Sequence, residues 1–228
     1  MRALILSATL VLTACSGRPL TQNEILFTQA MAGDQIDPAP VRFHDGHFAG
    51  SYITSLPVRP RLTCQERIFA PVSGDEIEVS PGAITLFNDV YYRKDLYIPD
   101  YLPNWPKEVH VYAAMLFAHE MTHVWQWQNR ARTGYHPVKA AAEHQRSDDP
   151  YLFNPDTEGA FLDYGYEQQG AIVEEYVCCQ LLDPDAPRTA RLEGMISKAM
   201  PIQRLRDVLD VEQVILPWSG AEPEGICR

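Results

Sequence analysis

The sequence has little positive charge, no long apolar segment beyond its first residues, and no cysteine pair at metal-binding spacing. With 19 Lys and Arg against 30 Asp and Glu, the formal net charge is −11. That balance repels phosphate backbones, so we do not expect nucleic acid as a partner. No later stretch reaches the ~18–20 apolar residues that span a bilayer. The absence of C-x-x-C spacing argues against a Cys₄ zinc site, and there are no internal repeats or low-complexity segments.

What remains is the composition of a globular protein. Apolar residues make up 46% of the chain and charged residues 21%, which is typical of a folded domain rather than a disordered one. A chain of 228 residues is long enough for one ordinary domain with its own hydrophobic core. We therefore expect one domain, or one domain with a tail. We also expect a monomer.

The N-terminal residues have the features of an export signal. A positive start is followed by an apolar run over residues 3–12, which is too short to span a membrane. The run ends in Leu-Thr-Ala-Cys at Cys15, which resembles the bacterial lipobox. This predicts a removed signal peptide over 1–14, an acylated Cys15 and a lipid-anchored tether over 15–20. The alternative is an ordinary signal peptide cleaved nearby. Because Ser16 is not the aspartate that favours inner-membrane retention, the resemblance implies the outer membrane, facing the periplasm.

Four further cysteines are Cys64, Cys178, Cys179 and Cys227. In an oxidising compartment they predict two disulfides, with three possible connectivities. A bridge between the adjacent Cys178 and Cys179 would be strained, so each is expected to pair elsewhere, with Cys227 as one plausible partner. Free buried thiols are the alternative.

The first half of the chain predicts one helix and several short strands. Thr21 and Glu24 form a capping box, which predicts a helix ending at Gly33. Residues 34–81 alternate prolines with short apolar runs and indicate loops and short strands. Residues 83–87 and 90–92 are β-branched and aromatic and predict an edge hairpin.

The second half predicts three helices. Residues 107–132 lack Gly and Pro, with Pro106 suited to the first helical turn and Gly134 to the position beyond the end. Further helices are expected over 164–182 and 187–200, while the tail after Leu209 gives no prediction. The intervening connection, residues 133–163, is long enough to be a functional loop.

The strongest chemical signal is the run His119-Glu120-Met121-Thr122-His123. Residues four apart on a helix face the same way, with Cβ atoms ~5–6 Å apart, so His119 and His123 can bind one zinc ion. Glu120 is rotated away from them and can take a proton from a water at the metal without being a ligand. A buried pair of structural histidines is the alternative.

A catalytic zinc site needs a third protein ligand. Position 129 is Asn129, so the metzincin spacing fails, and the helix over 164–182 is the better source. Glu167 and Glu174 lie on one face of it, about 10.5 Å apart along the axis. We favour Glu167 as the ligand. Glu174 is the alternative ligand or a group supporting one, and a solvated acidic face is the remaining interpretation.

Together, the motif His119 to Gln126 and the later Tyr166-Glu167-Gln168-Gln169 resemble the Vgr-related zincin-like domain. That family is close to a metallopeptidase domain found near contractile injection systems. The resemblance spans about residues 19–182. It implies an α+β, zincin-like fold, mainly helical with a small sheet. It also implies the gluzincin roles, with His119, His123 and Glu167 as zinc ligands and Glu120 as the base.

The chain departs from the family pattern at one position. Gluzincins often carry an aspartate four residues after the ligand glutamate to orient a histidine, and here that position is Ala171. The resemblance implies that Glu174 or Glu175 takes that role. His136, His144, Tyr164 and Tyr166 are the candidate hydrogen-bond donors to a developing oxyanion. The sequence supports each of them only weakly, and a packing or surface role is expected instead.

These observations predict a zincin-like domain over 21–183, with a C-terminal helix and tail over 184–228 packed on it. The leading hypothesis is a zinc-dependent peptidase of the bacterial envelope that acts on peptide or protein substrates. An intact Glu120 favours catalysis. The runner-up is a catalytically inactive zincin-fold module that binds another envelope protein, and a structural lipoprotein with an accidental motif is the third hypothesis.

Overall fold

A computed structural model describes residues 17–47 and 52–228. Cys15, the predicted acylation site, lies outside the described residues. The helices are α1 (Gln22–Ala32), α2 (Cys64–Ile68), α3 (Val111–Gln128), α4 (Arg130–Thr133), α5 (Pro137–Arg146), α6 (Tyr166–Leu182), α7 (Pro187–Ile196) and α8 (Leu205–Val208). The strands are β1 (Arg42–Asp45), β2 (Thr54–Pro57), β3 (Glu76–Val79), β4 (Ala83–Leu86), β5 (Asp89–Tyr92), β6 (Glu108–His110) and β7 (Gln213–Ile215).

The strands form small sheets. The largest has the order β1-β5-β4, with β1 parallel to β5 and β4 antiparallel to β5. The predicted hairpin over 83–92 is therefore present. Of its two strands, β4 lies at an edge of the sheet and β5 lies at the centre. The strands β2 and β3 form a separate antiparallel pair. The fold is mixed, with helices and small sheets, which is consistent with the predicted α+β class.

Two long helices, α3 and α6, form the centre of the core. Every residue of α3 from Ala114 to Gln126 is buried, and so is every residue of α6 from Gln169 to Leu181. A helix that is apolar on most faces is expected to be enclosed by the rest of the domain. Aromatic rings fill the space between α3, α1 and the three-stranded sheet, with Phe43 packed edge-on against Phe117 and Tyr92. The polar side chains of α3 and α6 are therefore held in a rigid setting.

The prediction of one helix over 107–132 was wrong at both ends. Residues 108–110 form β6, which pairs in parallel with β7, and α3 begins only at Val111. The partner strand lies about a hundred residues later, so the local pattern carries no sign of this pairing. At the other end, the backbone of Asn129 leaves the helical conformation before the short helix α4. The predicted 133–163 connection also contains a helix, α5.

The capping box at Thr21 and Glu24 is confirmed, and both of its hydrogen bonds are present. Glu24 is fully buried, and its carboxylate accepts two hydrogen bonds from the guanidinium of Arg18, at 2.7 and 2.8 Å. The backbone of Arg18 pairs with that of Phe43 as an antiparallel bridge, and Leu20 is buried. Residues 18–20, which the sequence assigned to a tether, therefore pack on the domain.

The two predicted disulfides are confirmed, and their pairing is resolved. Cys64 on α2 pairs with Cys178, and Cys179 pairs with Cys227 near the C-terminus, with Cα–Cα distances of 6.0 and 5.8 Å. Adjacent positions on α6 therefore point to different partners, as a helical rotation of about 100° per residue requires. The C-terminal tail is tied to α6 by the second bridge.

Among the described residues, no helix has both the length and the apolar character needed to cross a bilayer.

Candidate metal centre

The helix α3 presents His119 and His123 on one face, as their spacing predicted. Both residues are buried, with relative exposures of 5% and 4%. Their Nε2 atoms lie 3.1 Å apart, so both imidazoles point at the same small region of space.

Glu167, in the first turn of α6, completes a triangle of donor atoms. Its Oε2 atom lies 3.3 Å from Nε2 of His119 and 3.2 Å from Nε2 of His123. The start of α6 is fixed by Glu143 of α5, whose carboxylate accepts hydrogen bonds from the backbone N–H groups of Tyr166 and Glu167. An anion is favoured at this end of a helix. The exposed α5 therefore helps to position the buried Glu167.

Each histidine has a second polar partner behind it. The Nδ1 atom of His119 lies 3.3 Å from Oε2 of Glu174, and Nδ1 of His123 lies 2.9 Å from Oε1 of Gln126. Gln126 donates in turn to the carbonyl of Tyr166 and to Oε1 of Gln169. Partners of this kind fix the tautomer and orientation of a metal-binding imidazole. Glu174, and not Glu175, therefore makes the contact with a histidine that an aspartate at position 171 was expected to make.

The carboxylate of Glu120 faces the same region from α3 and touches the sheet. The hydroxyl of Thr85, on the edge strand β4, donates to Oε2 of Glu120 at 2.7 Å. Glu120 is 4% exposed, so this hydrogen bond is shielded from water. The strand β4 therefore holds one carboxylate oxygen of Glu120 in place.

Burial and neighbouring charges shift the pKa values in the cluster in different directions. Burial raises the pKa of Glu120, and the nearby His119 and His123 oppose this only in part. Burial also disfavours the carboxylate of Glu167, but the two histidines outweigh it and hold its pKa well below its usual range. For His119, burial opposes the charged form, yet Glu174 and Glu167 raise its pKa well above the ordinary value. The carboxylates thus make the cluster attractive to positive charge.

The donor set fits a zinc ion. The ligating atoms of His119, His123 and Glu167 all lie within 4.8 Å of one another, and all three residues are buried. Two atoms in tetrahedral coordination at ~2.0–2.1 Å from zinc are about 3.3 Å apart, and the three edges of this triangle measure 3.1–3.3 Å. Two imidazoles and one carboxylate are also a known catalytic zinc set with one position left open.

The position of Gly170 on α6 explains how the two helices come so close. A Cβ atom there would lie 2.6 Å from Cε1 and 2.7 Å from Nε2 of His119, closer than real Cβ contacts. Only glycine leaves room for this imidazole, since it has no side chain. The close packing of α6 against His119 therefore depends on glycine at position 170.

Most of the four oxyanion donors considered from the sequence lie outside the cluster. Of the four, only His144 reaches the cluster, with Nε2 3.3 Å from Oε1 of Glu167. His136 accepts a hydrogen bond from the backbone of Val138, Tyr166 donates to the carbonyl of Gly134, and Tyr164 bonds Thr157.

Sequence reasoning missed several residues around the cluster. The ring of Tyr151 lies 5.8 Å from His119, and that of Tyr135 lies 6.2 Å from His123. Thr85 and Gln126 were also missed. Only Gln126 had a local signal, because it follows His123 by three residues and so shares its helix face.

The fold and the cluster define a mixed domain of helices and small sheets with a buried site of two histidines and one glutamate. No family model matches the chain. Over 181 residues it is 25% identical to the type VI secretion system spike protein VgrG2b of Pseudomonas aeruginosa. That match covers 79% of this chain but only 15% of the relative, so the chain corresponds to a small part of that protein. The solved effector domain of Pseudomonas aeruginosa VgrG2b is 24% identical, with a TM-score of 0.47 over 79% of this chain and 82% of that one. The sequence similarity supports a relation to Vgr-type proteins.

Proposed function

We propose that the chain is a zinc-dependent peptidase of the gluzincin type. The observation that carries this proposal is the triangle of donor atoms from His119, His123 and Glu167, with the carboxylate of Glu120 beside it. A structural zinc site is normally closed by four protein ligands. This cluster has three ligating atoms together and a carboxylate beside them, as a hydrolytic site requires.

His119, His123 and Glu167 would hold the zinc, which, when bound, polarises a carbonyl and activates water at neutral pH. Glu174 and Gln126 keep the two imidazoles oriented through their Nδ1 atoms. The rigid pairing matters because a small misplacement of a ligand weakens both binding and catalysis.

Glu120 would act as the general base and then as the acid. Because Thr85 occupies Oε2, Oε1 is the atom left to take a proton from the attacking water and to pass it to the leaving amine. Burial raises the pKa of Glu120, which strengthens this carboxylate as a base.

The experiment that tests this proposal is the zinc content of the purified full-length chain. We expect about one zinc per chain, and its loss in His123→Ala and Glu167→Gln, because each variant removes one of three ligands. His47→Ala and Glu193→Gln, whose side chains lie outside the cluster, serve as matched controls and should keep the metal. A folded, disulfide-bonded chain without zinc, even after reconstitution, would overturn the proposal.

The variant Gly170→Ala is expected to weaken zinc binding by ~10–100-fold, the range found when support of a ligand is lost. The added methyl group would collide with the ring of His119. The control is Gly194→Ala on α7, where an added Cβ meets nothing within 4 Å and should stabilise the helix by about 0.5–1 kcal/mol. Chelator competition and thermal unfolding measure both effects. Unchanged zinc affinity in Gly170→Ala would contradict the close packing described for α6.

A second candidate function is a binding or scaffold module in which the cluster is not catalytic. The similarity to part of a spike protein favours this alternative, and also an association of the chain with type VI secretion, as an effector or a scaffold. The two functions differ in one measurement, since a scaffold would retain zinc without hydrolysing any peptide.

The cellular setting is part of the proposal. The lipobox-like sequence at Cys15 supports a lipid-anchored protein of the bacterial envelope, at the outer membrane and facing the periplasm. The two disulfides support an oxidising compartment. The substrates would be peptides or proteins of the same compartment.

A further inference from the structure

We propose that one end of the three-stranded sheet lies directly against the lipid bilayer, with Tyr52 and Ile53 as its lipid-contacting side chains. This inference rests on the proposed acylation of Cys15. The contacting surface, here called the anchor end, is formed by residues 46–47 after β1, residues 93–94 after β5, and Tyr52 and Ile53.

The first argument is the short distance between Cys15 and the folded domain. The N–H and C=O groups of Arg18 both bond Phe43, at 2.8 Å each. A Cβ at Gly17 would lie 2.6 Å from the carbonyl oxygen of Phe43 and 2.7 Å from the ring of His44, so Gly17 is also fixed against β1. Two residues of chain span at most about 7 Å. An acyl group on Cys15 therefore holds the domain at the membrane surface without a flexible spacer.

The second argument is where on the domain this attachment lies. Arg18 runs antiparallel to β1, and Gly17 lies beside His44, near the carboxyl end of that strand. Because β1 and β5 are parallel, their carboxyl ends share one end of the sheet. A Cβ at Gly46 would lie 3.4 Å from the side chain of Lys94, which shows that the segments following the two strands are in contact.

The third argument is what else is exposed at this end. His47 hydrogen-bonds the carbonyl of Pro81, so the segment before β4 also reaches the anchor end. A depression there is lined by Ile53, Ser80 and Arg93, among others. Tyr52 and Ile53 are each 63% exposed. A tyrosine and an isoleucine exposed at the end of the sheet where Gly17 lies are suited to the interface between headgroups and acyl chains.

The chain itself does not favour binding through charge. Its net charge of −11 repels anionic lipids, so the contact depends on the anchor and on the two apolar side chains.

The opposite end of the sheet, at the β4–β5 turn, carries Phe87, which is 45% exposed. Tyr92 lies five positions after Phe87, which is about 16 Å along a strand. Phe87 therefore provides a control position facing away from the bilayer.

The test uses the full-length acylated protein in zwitterionic phosphatidylcholine vesicles that contain brominated lipids, which quench tryptophan fluorescence at short range. Tyr52→Trp and Ile53→Trp are compared with Phe87→Trp, with the signal of the native tryptophans subtracted. We expect the added signal at positions 52 and 53 to be quenched at least about twofold more than at position 87. A ten-residue Gly/Ser insertion between Ser16 and Gly17 has an average span of about 18 Å, and it should abolish this difference.

Three results would overturn the inference. Equal quenching at positions 52 and 87, in protein whose Cys15 peptide has the acylated mass, would show that the anchor end does not face lipid. An unchanged difference after the insertion would show that the short attachment does not set the orientation. An unmodified Cys15 would remove the anchor itself, and zinc content, measured on the same samples, reports separately on the proposed peptidase site.

Discussion

Glu120→Gln is expected to lower the turnover number for peptide hydrolysis by ~10²–10⁴-fold, the usual contribution of a general base. The amide keeps the size of the side chain and can still contact Thr85, but it cannot accept the proton of the attacking water. Zinc content should stay near one per chain, because Glu120 is not among the three ligating residues. Steady-state kinetics on a peptide library, together with elemental analysis, measure both quantities.

The control for this experiment is Glu174→Gln. Its side chain supports His119 from behind, so we expect weaker zinc binding and recovery of turnover when zinc is added in excess. Glu120→Gln should show no such recovery. If Glu120→Gln hydrolyses peptides at the wild-type rate, Glu120 is not the base. If neither the wild type nor any variant hydrolyses a peptide while zinc is bound, the scaffold alternative is favoured.

The second large effect concerns the disulfides. Removing the Cys64–Cys178 bridge, which closes a loop with a sequence separation of 114, is expected to lower the free energy of unfolding by about 5 kcal/mol on the chain-entropy model. For Cys179–Cys227, with a separation of 48, the same model gives about 4 kcal/mol. Paired Cys→Ala variants and urea unfolding measure these values, because all four residues are fully buried and alanine adds no polar group.

Reduction of the wild type supplies the matching control. Urea unfolding in the presence of a thiol reductant should show a loss similar to that of the variant lacking both bridges. If the reduced protein unfolds at the same urea concentration as the oxidised one, the bridges do not stabilise the domain. Zinc content should respond less than stability, since Cys178 and Cys179 lie about three turns along α6 from Glu167.

The sequence predicted those features that depend on neighbouring residues. The capping box of α1 was predicted because its signal is local. For the same reason the helix predicted over 164–182 was found, although α6 begins two residues later, at Tyr166. The shared face of His119 and His123 follows from helical periodicity alone. The bridges of Cys178 and Cys179 to separate partners followed from the strain of linking adjacent residues.

The features that were missed depend on contacts between distant segments. No local sequence pattern predicts the strand β6, because its partner β7 lies about a hundred residues later in the chain. Thr85 reaches Glu120 only once β4 is placed beside α3, and no spacing in the sequence indicates that contact. Gly170 reads as an ordinary helix glycine until the imidazole of His119 is placed against it.

The order of the two disulfides along the chain has a consequence for biogenesis. Cys64 pairs with Cys178, and Cys179 pairs with Cys227, so the bridges neither overlap nor enclose each other. A polypeptide that crosses a membrane from its N-terminus would present these thiols in their pairing order. With Cys15 acylated as proposed, oxidation of the other four cysteines in the order of emergence yields the native bridges and requires no later exchange of partners by an isomerase.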